Sequence, residues 1–160
     1  MTTTATEIQT TQVYQVFIKA TPEAIWDAIT KPEFTQRYFY GTAIDSTFEA
    51  GAPYISRTAD GEHVMVEGEI VEASPPRRLV HSWLALYDEE MGKEQPSRVA
   101  WEIEPQDGGV CLLTVVHDRL EDVPKTAAGV AGAGWMHILS GLKTLLETGT
   151  PLFEYAKRDE

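Results

Sequence analysis

Hydrophobic and polar positions follow two different periods along the chain, and the changes of period divide it into elements. Val13 to Lys19, rich in β-branched and aromatic residues, reads as a strand. Thr21-Pro22-Glu23 then supplies a side-chain cap, a proline suited to the first helical position and an acid favoured by the helix dipole. Ala24, Ile25, Ala28 and Ile29 give the helix that follows an apolar stripe at helical spacing. Lys31-Pro32-Glu33 ends it and opens a second short helix through about Tyr38.

From Gly41 to His117 the pattern changes to short apolar runs punctuated by glycine and proline, the signature of an antiparallel meander. The predicted strands are Thr42 to Phe48, Pro53 to Thr58, His63 to Ala73, Leu79 to Leu86, Arg98 to Glu104 and Val110 to His117. Asp60-Gly61 and Asp107-Gly108-Gly109 are turn signals that tolerate positive φ. Leu86 to Pro96, rich in Asp and Glu, reads as a longer mobile loop. The period then returns to helical. A final helix is expected from Pro124 to Thr148, capped by Asp122 and ended by Gly149 and Pro151. Its length is about 24 residues, or roughly 36 Å.

Val130, Gly134, Ile138, Leu142, Leu145 and Leu146 form the stripe of that helix expected to face the sheet. Its first half, Ala127 to Gly134, carries almost no side-chain volume. Each interior glycine costs about 1 kcal/mol of helix propensity against alanine. Gly129, Gly132 and Gly134 therefore mean that this half frays, approaches the sheet closely, or leaves space that something else fills.

Along the strands, residues two apart share a face. Val64, Val66, Gly68 and Ile70 should point inward and Met65, Glu67 and Glu69 outward; Leu79, His81 and Trp83 share a face, as do Val99, Trp101 and Ile103, with Ala100, Glu102 and Glu104 facing solvent. Cys111, Leu113, Val115 and His117 form the last inward set.

Composition narrows the function. The 160 residues are 42% hydrophobic and 24% charged, which suits a single domain with its own core. The expected organisation is a lead-in over 1–11, one domain over 12–153 and a charged tail over 154–160. A net charge of −12 repels nucleic acid and anionic membranes, and the longest basic cluster is Arg77-Arg78. One cysteine, Cys111, allows neither an internal disulfide nor a thiolate zinc site, which fits a reducing, cytoplasmic setting. No run of about 18 apolar residues is present to cross a bilayer.

Specific words add to the element order: Ala20-Thr21-Pro22-Glu23-Ala24-Ile25-Trp26-Asp27-Ala28-Ile29-Thr30-Lys31-Pro32-Glu33, then Phe48-Glu49-Ala50-Gly51, then Gly68-Glu69-Ile70-Val71-Glu72 with Pro75-Pro76-Arg77-Arg78-Leu79. His117, Gly134-Trp135 and Leu145-Leu146-Glu147-Thr148-Gly149 complete the set. In these the chain resembles the START-like SRPBCC superfamily, and within it the branch related to the C-terminal domain of the activator of the heat-shock-protein-90 ATPase. The resemblance implies a helix-grip, α+β fold: a strongly curved antiparallel sheet of about seven strands around a long C-terminal helix, with two short helices after strand one. Where many relatives have a tryptophan pair after the second helix, this chain has Tyr38-Phe39-Tyr40-Gly41, so the rim of any pocket is altered.

The expected cavity between sheet and last helix is lined by Tyr38, Tyr54, Val66, Ile70, His81, Trp83, Trp101, Leu113, His117, Val130, Gly134, Trp135 and Ile138. Such a mixed lining suits an apolar or aromatic small molecule. The leading expectation is a ligand-binding protein without cofactor or metal. A cyclase or dehydratase using His81 or His117 as acid or base is the second reading, and a chaperone-associated interaction module the third. A homodimer through an edge strand or the helix ends fits the same fold. No G-x-S-x-G, H-E-x-x-H or phosphate-loop motif is present. The histidines at 63, 81, 117 and 137 lack metal-site spacing within one element; His63 and His137 are expected to be exposed. Cys111 has only apolar neighbours, which gives it neither the base nor the positive field a nucleophile needs.

Overall fold

A computed structural model describes residues 10–155. Most of the expected lead-in and the end of the expected tail lie outside the described residues. The elements run β1 (Gln12–Ile18), α1 (Pro22–Thr30), α2 (Pro32–Tyr38), β2 (Ala43–Asp45), β3 (Pro53–Arg57), β4 (Val64–Ser74), β5 (Arg78–Ala85), β6 (Ser97–Pro105), β7 (Cys111–Asp118), α3 (Pro124–Val130) and α4 (Ala133–Thr148). All seven strands form one antiparallel sheet in the order β1-β7-β6-β5-β4-β3-β2. α1, α2 and α4 pack in its concave side, the helix-grip arrangement.

Local chemistry sets the helix starts. The Thr21 hydroxyl accepts a hydrogen bond from the Ala24 N–H at 3.1 Å, with Pro22 in the first turn, so α1 begins as expected. α4 meets α2 where Gly141 faces Tyr38: a Cβ there would lie 3.2 Å from the Tyr38 Cβ, so a glycine lets the helices approach. β1 is an edge strand, and α4 covers part of its free edge. Lys143 Nζ donates to the Phe17 carbonyl at 2.7 Å, and Glu147 accepts from the Lys19 N–H at 2.8 Å. This masks groups that an open edge leaves free to pair with another chain.

The structure corrects several of these expectations. The last helix is not continuous from Pro124 to Thr148: Ala131 is extended and Gly132 sits at φ 60°, ψ −111°, dividing α3 from α4. The break is held from across the sheet. Tyr14 on β1 accepts the Gly132 N–H at 2.8 Å and donates to Gln12, whose side-chain amide donates to the Ala127 carbonyl at 2.9 Å. Asp122 does not cap α3. Glu94 does, accepting from the Lys125 and Thr126 N–H groups at 3.0 and 2.8 Å and from the Thr126 hydroxyl at 2.7 Å.

The acidic segment 86–96 is thereby tied to α3: it contains a single 3-10 turn, Met91–Lys93, and Met91 is buried against Gly129, while Asp88, Glu89 and Glu90 stay exposed. The strand expected from Thr42 to Phe48 is reduced to Ala43–Asp45, followed by a positive φ at Phe48. Ala100, expected in solvent, is buried on the outer face.

Removing the Glu94 cap should matter locally. Glu94→Ala is expected to lower stability by about 1–2 kcal/mol and to raise amide exchange at Lys125 and Thr126. Unchanged protection there would show that the segment does not hold α3.

Candidate functional site

Between β3, β4 and β5 on one side and α3 and the start of α4 on the other lies a cavity of about 380 Å³. Its wall is formed by Phe39, Tyr40, Thr42, Ser56, Met65, Val66, Trp83, Tyr87, Gly129, Val130, Gly134, Trp135 and Ile138, none of them charged. Gly134 leaves space that a larger residue would occupy, whereas Gly129 lets Met91 pack close: a Cβ there would lie 2.8 Å from the Met91 Sδ. A Cβ on Gly134 would meet only the Gly129 carbonyl oxygen, at 3.7 Å. Tyr40 and Tyr87 are about half exposed and mark the mouth.

Trp83 and Trp135 join the wall to an aromatic cluster. Their rings lie 5.8 Å apart; Trp101 meets Trp135 edge-on at 5.5 Å, and Phe39 sits 6.2–6.4 Å from all three. Offset and edge-on contacts of this kind are favoured by the ring quadrupoles.

Two buried histidines hold the cluster. Trp101 Nε1–H donates to His81 Nε2 at 3.0 Å, which assigns the His81 proton to Nδ1, where it donates to the Ser82 carbonyl at 2.9 Å. Trp135 Nε1–H donates to His117 Nδ1 at 3.1 Å. The His117 proton is then on Nε2, donating to Ser97 Oγ at 2.7 Å, and the Ser97 hydroxyl donates to the Trp83 carbonyl at 3.3 Å. Burial pushes His81 down to about 4, against the hydrogen bond to Ser82. Burial and then the nearby His81 push His117 down to about 3. Each is a neutral imidazole at pH 7 with both nitrogens engaged.

Linkage gives the sign of the resulting pH dependence. Between the ordinary histidine value near 6.5 and these depressed values, the unfolded chain binds protons that the folded protein refuses. Stability should therefore fall as pH drops from about 6.5 toward 4, by up to roughly 1.4 kcal/mol per pH unit for each histidine. Urea unfolding at pH 7 and pH 4.5 checks this; equal midpoints would contradict it.

One polar atom in the cluster has no such partner. Trp83 Nε1 is, among the described residues, the buried side-chain nitrogen or oxygen without a hydrogen bond. A buried unpaired donor costs about 1–3 kcal/mol.

The model of the family described as "Activator of Hsp90 ATPase homolog 1-like protein" matches residues 19–147. The chain belongs to that family. Its fold has many structural neighbours. Protein MLL2253 of Mesorhizobium loti superimposes with a TM-score of 0.70 at 22% identity, covering 86% of this chain and 96% of its own. The Aha1 dimer from Colwellia psychrerythraea gives 0.67 at 18%, covering 88% and 98%. CalU16 from Micromonospora echinospora gives 0.64 at 20%, covering 88% and 76%. At these identities the likeness shows the fold. No curated protein matches the chain in sequence.

The expected site residues separate into two layers. Val66, Trp83, Val130, Gly134, Trp135 and Ile138 form cavity wall. Tyr38, Tyr54, Ile70, His81, Trp101, Leu113 and His117 do not; they are buried behind it, because Phe39 covers the aromatic cluster and α4 fills the rest of the concave face. Tyr38 donates to the Ala28 carbonyl at 2.8 Å, and Tyr54 stacks on His81 at 3.7 Å.

The wall residues Phe39, Tyr40, Thr42, Ser56, Met65, Tyr87 and Gly129 were not among those expected. Two signals pointed toward some of them: the unusual Tyr38-Phe39-Tyr40-Gly41 word and the small-residue stretch around Gly129. Ser56 shares the inner face of β3 with buried Tyr54. Met65 was expected to face out; the register shift between Ser56 and Arg57 brings it to the cavity beside Val66.

His63 is exposed as expected, but His137 is half-buried, stacked between Tyr40 at 4.2 Å and Phe153 at 3.8 Å, with Nε2 2.8 Å from the Tyr155 hydroxyl. Cys111 lies at the other end of the sheet, buried, its Sγ 3.3 Å from the Ala20 carbonyl, with its thiol pushed up by burial. Among the described residues no three metal-ligating side chains cluster, and no helix is long and apolar enough to cross a membrane.

Proposed function

We propose that the protein binds a small apolar or aromatic molecule in the cavity between β3–β5 and α3–α4. The observation that carries this reading is the cavity itself: about 380 Å³ with an aromatic-rich, uncharged wall. That size and chemistry suit small-molecule sites. Acid–base catalysis of the cyclase or dehydratase type is less well supported, because His81 and His117 are buried behind the wall with both nitrogens engaged.

Titration with the neutral fluorophore N-phenyl-1-naphthylamine tests the reading. Saturable binding of one probe per chain is expected, with energy transfer from Trp83 and Trp135. A linear, non-saturating response would contradict it.

A second reading, association with a second copy or another protein, draws on the outer face of β1. Val13 and Phe17 are 55% and 57% exposed there, paired across the strand with Val116 and Leu112. The family's description and the Aha1 dimer are consistent with protein partners. Sedimentation of the wild type beside Phe17→Ser tests it: a dimer that the substitution dissociates is expected on this reading, and a monomer in both removes the homodimer.

A further inference from the structure

Tyr40 is a bulky residue at φ 53°, in the left-handed region, and Gly41 follows it at φ 74°. A tyrosine persists there only when its surroundings over-determine it. The Tyr40 hydroxyl donates to the Gly134 carbonyl at 3.0 Å, so the side chain runs from the turn after α2 to the first turn of α4, and both residues belong to the cavity wall. Tyr40 thus bridges one side of the mouth.

The contacts that hold it come from outside the cavity, from the strap 150–155 that follows the Gly149 end of α4. Phe153 stacks on His137 at 3.8 Å and 8°, and His137 on Tyr40 at 4.2 Å and 9°, giving three near-parallel rings with the imidazole in the middle. The Tyr155 hydroxyl donates to the Tyr38 carbonyl at 3.1 Å, so its oxygen accepts the Tyr40 N–H at 3.2 Å and the His137 Nε2–H across 2.8 Å. Ring and backbone of Tyr40 are both gripped. Gly41 completes the seat: its φ favours glycine, and a Cβ there would lie 3.3 Å from the Tyr155 Cβ and Cγ. His137, Phe153 and Tyr155 do not themselves line the cavity.

On the binding reading above, we infer that Phe153 and Tyr155 are positioning residues for the cavity mouth, holding Tyr40 across the opening through His137 and so setting how fast a ligand enters and leaves. Freed of the strap, Tyr40 relaxes toward negative φ, where a tyrosine is more stable, and its side chain leaves Gly134. The strap therefore sets the population of the closed mouth. Entry and exit both speed up when it is released, whereas affinity, set by the wall behind, changes little.

Stopped-flow mixing with N-phenyl-1-naphthylamine reads both rate constants from the probe's fluorescence. Phe153→Ala combined with Tyr155→Phe removes the stack and the hydroxyl. Association and dissociation are each expected to accelerate by about fivefold or more, with the equilibrium constant within about threefold of wild type. Phe153→Tyr, which keeps the stack, should exchange as the wild type does. In a Tyr40→Gly background, where φ 53° carries no strain and the bridge is gone, the strap substitutions should add nothing. Should the combined variant not fold, Tyr155→Phe alone, which deletes a single oxygen, is read in the same way.

Wild-type rates in the strap variants overturn the inference and leave the cavity reading standing, as does an acceleration that persists undiminished in the Tyr40→Gly background. Weaker binding carried by slower association overturns it too, because the strap would then shape the wall rather than the mouth. If the wild type does not bind the probe saturably, the cavity reading fails and the inference with it.

Discussion

Trp135→Ala is expected to lower the free energy of unfolding by about 3–5 kcal/mol, the range for truncating a large buried aromatic. Trp135 is 1% exposed, touches Phe39, Trp83 and Trp101 with its ring, and donates to His117. Two losses therefore combine: the cavity left by the indole and an unpaired acceptor on a buried, neutral imidazole. Trp135→Phe separates them. It keeps most of the ring volume and removes the donor, so about 2 kcal/mol should be lost. Urea unfolding at pH 7 measures both. A Trp135→Ala protein within 1 kcal/mol of wild type would mean that the cluster is not the keystone of the concave face.

Gly134→Leu should move stability and binding in opposite directions. Gly134 is in the first turn of α4, and its missing side chain leaves cavity rather than a close contact. Replacing it removes a glycine from the helix, favourable by up to about 1 kcal/mol, and fills apolar space. The variant is expected to melt at or above the wild-type temperature while its affinity for N-phenyl-1-naphthylamine falls more than tenfold. Gly134→Ala is the control, gaining helix propensity and keeping most of the affinity. If Gly134→Leu binds as the wild type does, the probe does not occupy this cavity.

The same glycines show how far a sequence carries such an argument. Alternation assigned the inward faces of β5, β6 and β7, because the period of two is a property of the strand itself: Leu79, His81, Trp83, Val99, Trp101, Ile103, Leu113 and His117 are all buried. It carries no information about depth. Which of these meet the cavity depends on Phe39, whose position follows from the backbone between α2 and β2.

Likewise, the small-residue stretch marked where space would be left, but not that the helix breaks at Gly132. That depends on Tyr14, which is 118 residues away in sequence. Glu94 displaced Asp122 as the cap for the same kind of reason: its carboxylate arrives from a distant segment already anchored by Met91. Local chemistry was legible where the partner is local, as with Thr21 and Ala24, and illegible where tertiary contacts supply it.

The four tryptophan indole N–H groups are reporters already in place. Trp83 and Trp135 line the cavity, Trp101 lies behind it on His81, and Trp26 is on α1 outside the wall. With the signals assigned by single substitution to phenylalanine, titration with 2-acetylnaphthalene should shift Trp83 and Trp135 strongly and saturably and leave Trp26 unmoved. Saturable binding that shifts Trp26 while Trp83 and Trp135 stay fixed would contradict the cavity as the binding site.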